Sequence, residues 1–313
     1  MGVSFLSTSP PLLSLLPVPS HRTATIAAAT RYPSHAVTIR CYKMETGVTA
    51  VDEDRFCRRD ILKCFGVTIG MGSPDLIPPI LTLALNDIMT YDKATKSGGP
   101  NASIRFSPEL SRPENKGLSS ALNLLEEAKK EIDSYSKGGP ISYADLIQFA
   151  AQSAVKATFL ASAIRKCGGN VEKGNLLYTA YGSSGQWALF DKQLGRADTQ
   201  EPDPEGRVPQ WQKVSVKEIK DKFSAVGFGP RQVAVMSAFM GPDQAATEAF
   251  LATDPDVSPW VQKYQRSRET VSQTDYEVDL ITTLTKLGCL GQKINYEAYS
   301  YPVKKVDLTK LKL

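Results

Sequence analysis

The chain is poor in histidine: of 313 residues only His21 and His35 are imidazoles, and none follows them. From residue 36 onward there is no histidine to ligate a metal or to carry a proton near neutral pH. Cysteine is sparse too. Cys41, Cys57 and Cys64 lie early, which leaves Cys167 and Cys289 far apart and without a C-x-x-C pair. A cysteine-based or mixed zinc site is excluded by that count. Beyond residue 72 no run reaches the eighteen or so consecutive apolar residues of a membrane span, so no spanning segment is expected there. A strong charge of either sign is also missing. With 8 basic and 5 acidic residues in positions 1–72, the remainder holds 29 Lys and Arg (37 less 8) against 28 Asp and Glu (33 less 5). A near-neutral body argues against nucleic acid as a partner, because phosphate binding needs a basic patch.

Acidic residues are absent before Glu45, while Arg22, Arg31 and Arg40 are dispersed among many Ser and Thr. That composition reads as an organelle transit peptide over residues 1–45. Residues 46–72 follow with Arg58-Arg59 and an apolar stretch from Cys64 to Gly72. This pattern reads as a twin-arginine signal, although Ser73-Pro74-Asp75 cuts the apolar run short and no A-x-A site follows Met71. A transit peptide ahead of a twin-arginine signal addresses a folded passenger to the chloroplast thylakoid lumen. Residues 73–313 then form the body, long enough for one large core.

In the body the apolar period is helical. Leu118, Ala121, Leu122, Leu125 and Ala128 recur at three- and four-residue steps and predict a helix from about Gly117 to Ile132. Ser142 with Asp145, Ser215 with Glu218 and Thr274 with Glu277 have capping-box spacing, predicting helices over 144–164, 216–226 and 275–287. Further helices are expected from Pro230 to Phe239 and from Val257 to Tyr264. Extended pieces are expected within Leu176 to Phe190, where aromatics alternate with small residues. Asp198, Asp203 and Glu205 with Arg196 and Arg207 read as a solvated, ion-paired loop. The fold class is mostly α.

A set of colinear blocks makes this more specific. Thr90-Tyr91-Asp92 with Thr95 to Arg105, Asn115-Lys116-Gly117-Leu118, Ile141 to Leu146, Gly195-Arg196-Ala197-Asp198 with Pro204 to Pro209, and Thr253-Asp254-Pro255 occur in family order. The body resembles the class I plant haem peroxidases, the ascorbate peroxidases, and is closest in character to their lumenal, ascorbate-peroxidase-like members. The resemblance implies a haem-peroxidase fold in which the family's first helix and its proximal loop are missing. Loss of that first helix implies exposure of Leu81 and Leu85 and a lowered stability.

The resemblance also implies where the active residues should stand, and there the chain departs from the family. On the distal helix Thr82 stands for the arginine, Leu85 for the aromatic and Asn86 for the histidine. The arginine stabilises charge as the O–O bond breaks and the histidine moves the peroxide proton; neither Thr nor an amide can do so. Met240 stands where the iron-ligating histidine belongs, Phe239 replaces a neighbouring glycine, and Glu248 falls near the Asp that orients that histidine. The expectation is a pseudoenzyme without cofactor, acting as a binding or scaffolding protein in the lumen, with photosystem II as the partner that leader and resemblance suggest. The alternative is a haem b-dependent ascorbate peroxidase-type oxidoreductase that removes hydrogen peroxide in oxidative stress, with Met240 as an unorthodox ligand. A third reading takes Cys167 and Cys289 as redox thiols, paired or independent. Between Ile164 and Gly195 the chain is longer than ascorbate peroxidases are, and Tyr181 and Trp187 there are candidates for a partner surface; the same insert could instead cover the vacated haem pocket.

Overall fold

A computed structural model gives the architecture of residues 74–135, 140–181, 187–191 and 193–294; the leader and export segments, 1–45 and 46–72, lie outside these described residues. Among the described residues the regular elements are helical, and extended pairing is limited to an isolated bridge between Asp92 and Ser97. Helix α1 (Ile77–Met89) carries Pro78 and Pro79 in its first turn, where an N–H has no intrahelical acceptor and its loss costs little. Its later residues are apolar nearly all round, and Ile80, Leu81, Leu83, Ala84, Leu85, Ile88 and Met89 are all buried. A helix of that pattern belongs in the middle of a protein. The expected exposure of Leu81 and Leu85 is therefore wrong: they are 3% and 0% exposed. Helices α2 (Ser119–Tyr135) and α3 (Tyr143–Lys166) and a 3-10 turn at Ser237–Phe239 pack on α1 instead.

Local signals place most helix starts. Ser142 Oγ accepts the Asp145 N–H at 3.1 Å, and the Asp198 carboxylate accepts the N–H groups of Tyr143 and Ala144 at 3.0 and 2.8 Å. Three donors that would otherwise be orphaned at the start of α3 are thus satisfied. After α4 (Val171–Tyr181), helix α5 (Val216–Ala225) opens with a reciprocal box: Ser215 Oγ takes the Glu218 N–H and Glu218 Oε2 takes the Ser215 N–H. The third box does not form. Thr270 Oγ1 accepts the Gln273 N–H, the chain turns left-handed at Gln273 (φ 37°), and Thr274 is already the first residue of α9 (Thr274–Leu287).

The described parts of the stretch expected to be extended are helical: α4 occupies Val171–Tyr181, and a single turn spans Trp187–Phe190. A Cβ on Gly174 would sit 2.5 Å from Ile164 Cγ1 and 2.7 Å from Ile164 Cα, so α4 is pressed against the end of α3. That close approach is a tertiary fact which strand propensity does not register. Helix α6 (Pro230–Val235) stops short of the expected Phe239, giving way to the 3-10 turn. It packs on α8 (Ser258–Glu269) and α9, while α7 (Gln244–Leu251) packs on the turn. One contiguous apolar core runs from Ile80 to Leu287.

Candidate functional site

Asn86 projects from the last turns of α1 and is 1% exposed. Its Nδ2 donates to the Glu114 carbonyl at 3.0 Å and to Asn115 Oδ1 at 2.8 Å, and its Oδ1 accepts the Trp211 Nε1–H at 2.7 Å. Asn115 Nδ2 in turn donates to the Glu109 carbonyl at 2.9 Å. Both donors of the amide and one lone pair of its oxygen are engaged, which makes Asn86 a bolt joining α1, the 113–115 turn and the segment before α5. Trp211, 4% exposed, also meets the Phe223 ring edge-on at 6.1 Å. Sequence reasoning missed Trp211; as one of only three tryptophans, just after a Pro-rich stretch, it carried some signal. Thr82 is half-buried and Leu85 fully buried on the same helix.

On the proximal side Met240 is 2% and Phe239 0% exposed, both inside the core. Glu248 does not orient anything at Met240. Its Oε1 accepts from Ser237 Oγ at 3.0 Å and Gln244 Nε2 at 3.0 Å, and its Oε2 from Gln265 Nε2 at 3.1 Å and Arg268 Nη2 at 2.6 Å. The carboxylate is a tie between α7, α8 and the 3-10 turn.

Distal and proximal segments touch each other. Cα atoms of α1 and of Ser237–Phe239 come within 8 Å of one another, so the two segments are neighbours in the core. A haem between them would have to part the two segments and take an axial ligand other than imidazole. The residues present do not fit that group. Among the described residues no cluster of three or more His, Cys, Asp or Glu is arranged to hold a metal ion.

The remaining candidates are dispersed. Cys167 caps the end of α3 and Cys289 follows α9; both are half-buried free thiols, and burial pushes the Cys289 thiol above its ordinary range. Trp187 is no partner surface: it is 1% exposed, edge-on to Phe190 at 5.8 Å, with the Lys156 ammonium over its ring. The side chain of Tyr181 and the whole of residues 182–186 fall outside the described residues. Nor is the 195–207 loop simply solvated. Arg196 is buried, paired with Asp145 Oδ1 at 2.8 Å and donating through Nε to the Gly288 carbonyl; Asp198 caps α3, and Asp203 is 8% exposed. Loop charges that look like surface in the sequence thus hold the loop against α3 and α9.

Comparison with known proteins follows the same lines. The family described as Peroxidase matches residues 60–284. The chain is 62% identical to the thylakoid lumenal 29 kDa protein, chloroplastic, of Solanum lycopersicum, over 99% of this chain and all of the relative. The protein of the same name in Arabidopsis thaliana is 60% identical over all of this chain and 99% of its own length. The first of these alignments has 351 positions against 313 residues here, so at least 38 positions (351 less 313) have no counterpart in this chain. L-ascorbate peroxidases match more distantly. The crystal structure of the TL29 protein from Arabidopsis thaliana superposes with a TM-score of 0.76 at 73% identity, over 78% of this chain and 98% of that one.

Proposed function

This chain belongs to the peroxidase family, and from that membership we propose a peroxidase-fold protein that has given up peroxidase chemistry and serves as a binding or scaffolding protein. Its compartment is the chloroplast thylakoid lumen, where its full-length relatives are named. The observation that carries the reading is the direct packing of α1 on Ser237–Phe239, with Asn86 fully engaged by Trp211, Asn115 and Glu114. Peroxide cleavage needs a base that accepts one proton and returns it to the leaving oxygen. An amide locked in three hydrogen bonds has neither the basicity nor the freedom. Thr82 supplies no cation for the developing charge, and a thioether at Met240 is walled into the core.

A scaffolding role asks instead for surface. Helix α4 exposes two large apolar side chains, Val171 at 58% and Leu176 at 68%. We place the partner contact there rather than at Trp187, with photosystem II as the lumenal partner. Among the described residues no helix is long and apolar enough to cross a membrane.

The test is a haem titration of the protein followed by peroxide. The expected outcome is an unshifted free-haem spectrum and no turnover. A tight complex with a shifted Soret band that consumes peroxide would sink the reading and restore a haem-dependent oxidoreductase. For the partner face, Leu176→Lys should abolish co-sedimentation with photosystem II membranes, whereas binding equal to the parent would place the contact elsewhere.

A further inference from the structure

A hydroxyl carries one proton, and Ser103 Oγ stands between two carboxyl groups, 3.0 Å from Glu109 Oε1 and 3.1 Å from Asp203 Oδ2. It can donate to one of them. Were both ionised, its lone pairs would face the second carboxylate oxygen, and two poorly solvated like charges would meet across a single atom. Both contacts are favourable when one carboxyl keeps its proton and donates it to Oγ, while the hydroxyl donates onward to the other. The neighbouring bonds say which. Asp203 Oδ2 also accepts the Asn101 amide at 3.3 Å, the pattern of an acceptor, whereas Glu109 is 1% exposed and takes the Asp203 N–H on Oε2 at 2.7 Å, leaving Oε1 to carry the proton.

We infer that Glu109, Ser103 and Asp203 form a proton-dependent latch, which holds the 199–207 loop against residues 101–112 and loosens when its proton is lost. The inference is independent of whether the protein binds haem. Asp203 stands at the rim, 8% exposed, so a proton can pass between solvent and Glu109 through one hydroxyl. Other charges face the cluster. Arg112 lies 3.9 Å from Glu109 Oε2 and donates to the Asp203 carbonyl; Arg105 turns away to the carbonyls of Ala102 and Thr199. Asp87, from α1, accepts the Ala102 N–H on Oδ2 at 3.2 Å, while its Oδ1 is buried without a hydrogen-bond partner. Three acids thus share one nearby cation. Burial, reinforced by neighbouring carboxylates, raises both Glu109 and Asp87 above the ordinary carboxyl range.

The sign follows from linkage. A carboxyl raised in the folded state contributes stability that is complete below its unfolded value and is lost as pH rises through its folded value. The latch is therefore closed in acid and loosens as pH rises through the raised carboxyl's folded-state value.

The measurement is amide hydrogen exchange of the 199–207 segment in the whole protein between pH 5 and 8, normalised for the intrinsic exchange rate. Protection should fall with rising pH, about tenfold for each unit by which the carboxyl value differs between closed and open loop. Glu109→Gln keeps a neutral group that donates to Ser103 Oγ and accepts the Asp203 N–H, so the pH response of its protection should shrink markedly, with Asp87 as the remaining raised carboxyl. The protonated-carboxyl C=O band in the infrared should shrink in that variant at pH 5. Asp203→Asn, which removes the negative neighbour, should move the wild-type transition to lower pH and covers the case in which Glu109→Gln folds poorly. Flat protection in the wild type, or an unchanged pH response in either variant, overturns the latch.

Discussion

Position 86 shows how a single side chain trades one job for another. The amide of Asn86 meets Trp211 and Asn115 inside the core, so replacing it by Leu leaves the Trp211 N–H without its partner in a dry site. Such a loss is worth about 1–3 kcal/mol. Denaturant unfolding of Asn86→Leu, followed by tryptophan fluorescence, should show an unfolding free energy lowered by that amount and a correspondingly lower midpoint; an unchanged midpoint would mean the bond contributes nothing. Asn86→His should not create haem binding, because α1 still lies on Ser237–Phe239. Arg196 and Asp145 form the other high-stakes pair. Both side chains are fully buried, so Arg196→Met strands a carboxylate and should cost about 3–5 kcal/mol. Cys289 tests reactivity: its thiol is raised by burial, so at pH 8 it should react with a thiol reagent more slowly in the folded protein than in denaturant. Equal rates would reopen the redox reading.

At the scale of elements, the placement of α4 depends on one residue without a side chain. Gly174→Ala would drive a methyl to 2.5 Å from Ile164 Cγ1 and 2.7 Å from its Cα, and backbone cannot yield as a flexible side chain does. The expected result is a stability loss of about 1–3 kcal/mol from overpacking, with the hydrogen-exchange protection of 171–181 falling first. Helix starts were legible where the cap is local: Ser142 and Ser215 each find their donor three residues on. The start of α9 was not, because the Thr270 hydroxyl and a left-handed Gln273 decide it, and neither follows the capping pattern. The helical state of 171–181 was likewise hidden, because Gly174 and two tyrosines weaken the local helix signal, and it appears only when α3 provides the surface.

For the whole molecule, the apolar core is one cluster that includes α1, α3, α6 and α9, so secondary structure and tryptophan environment should be lost together on denaturation. Two separated midpoints by circular dichroism and fluorescence would show that the halves unfold independently. The sequence alone determined the helical class, through period and caps, and the family, through ordered blocks between Thr90 and Pro255 that local chemistry preserves. It also determined the lack of imidazole after His35. Only the tertiary structure decided that Leu81 and Leu85 are covered, that Trp187 is core rather than surface, and that Arg196 and Asp203 are drawn inward. Periodicity reports which face of a segment is apolar, but not which distant segment will cover it. The carboxyl pair at Ser103 belongs to the same class of fact: Glu109 and Asp203 are 94 residues apart in the chain, and only folding brings one hydroxyl between them.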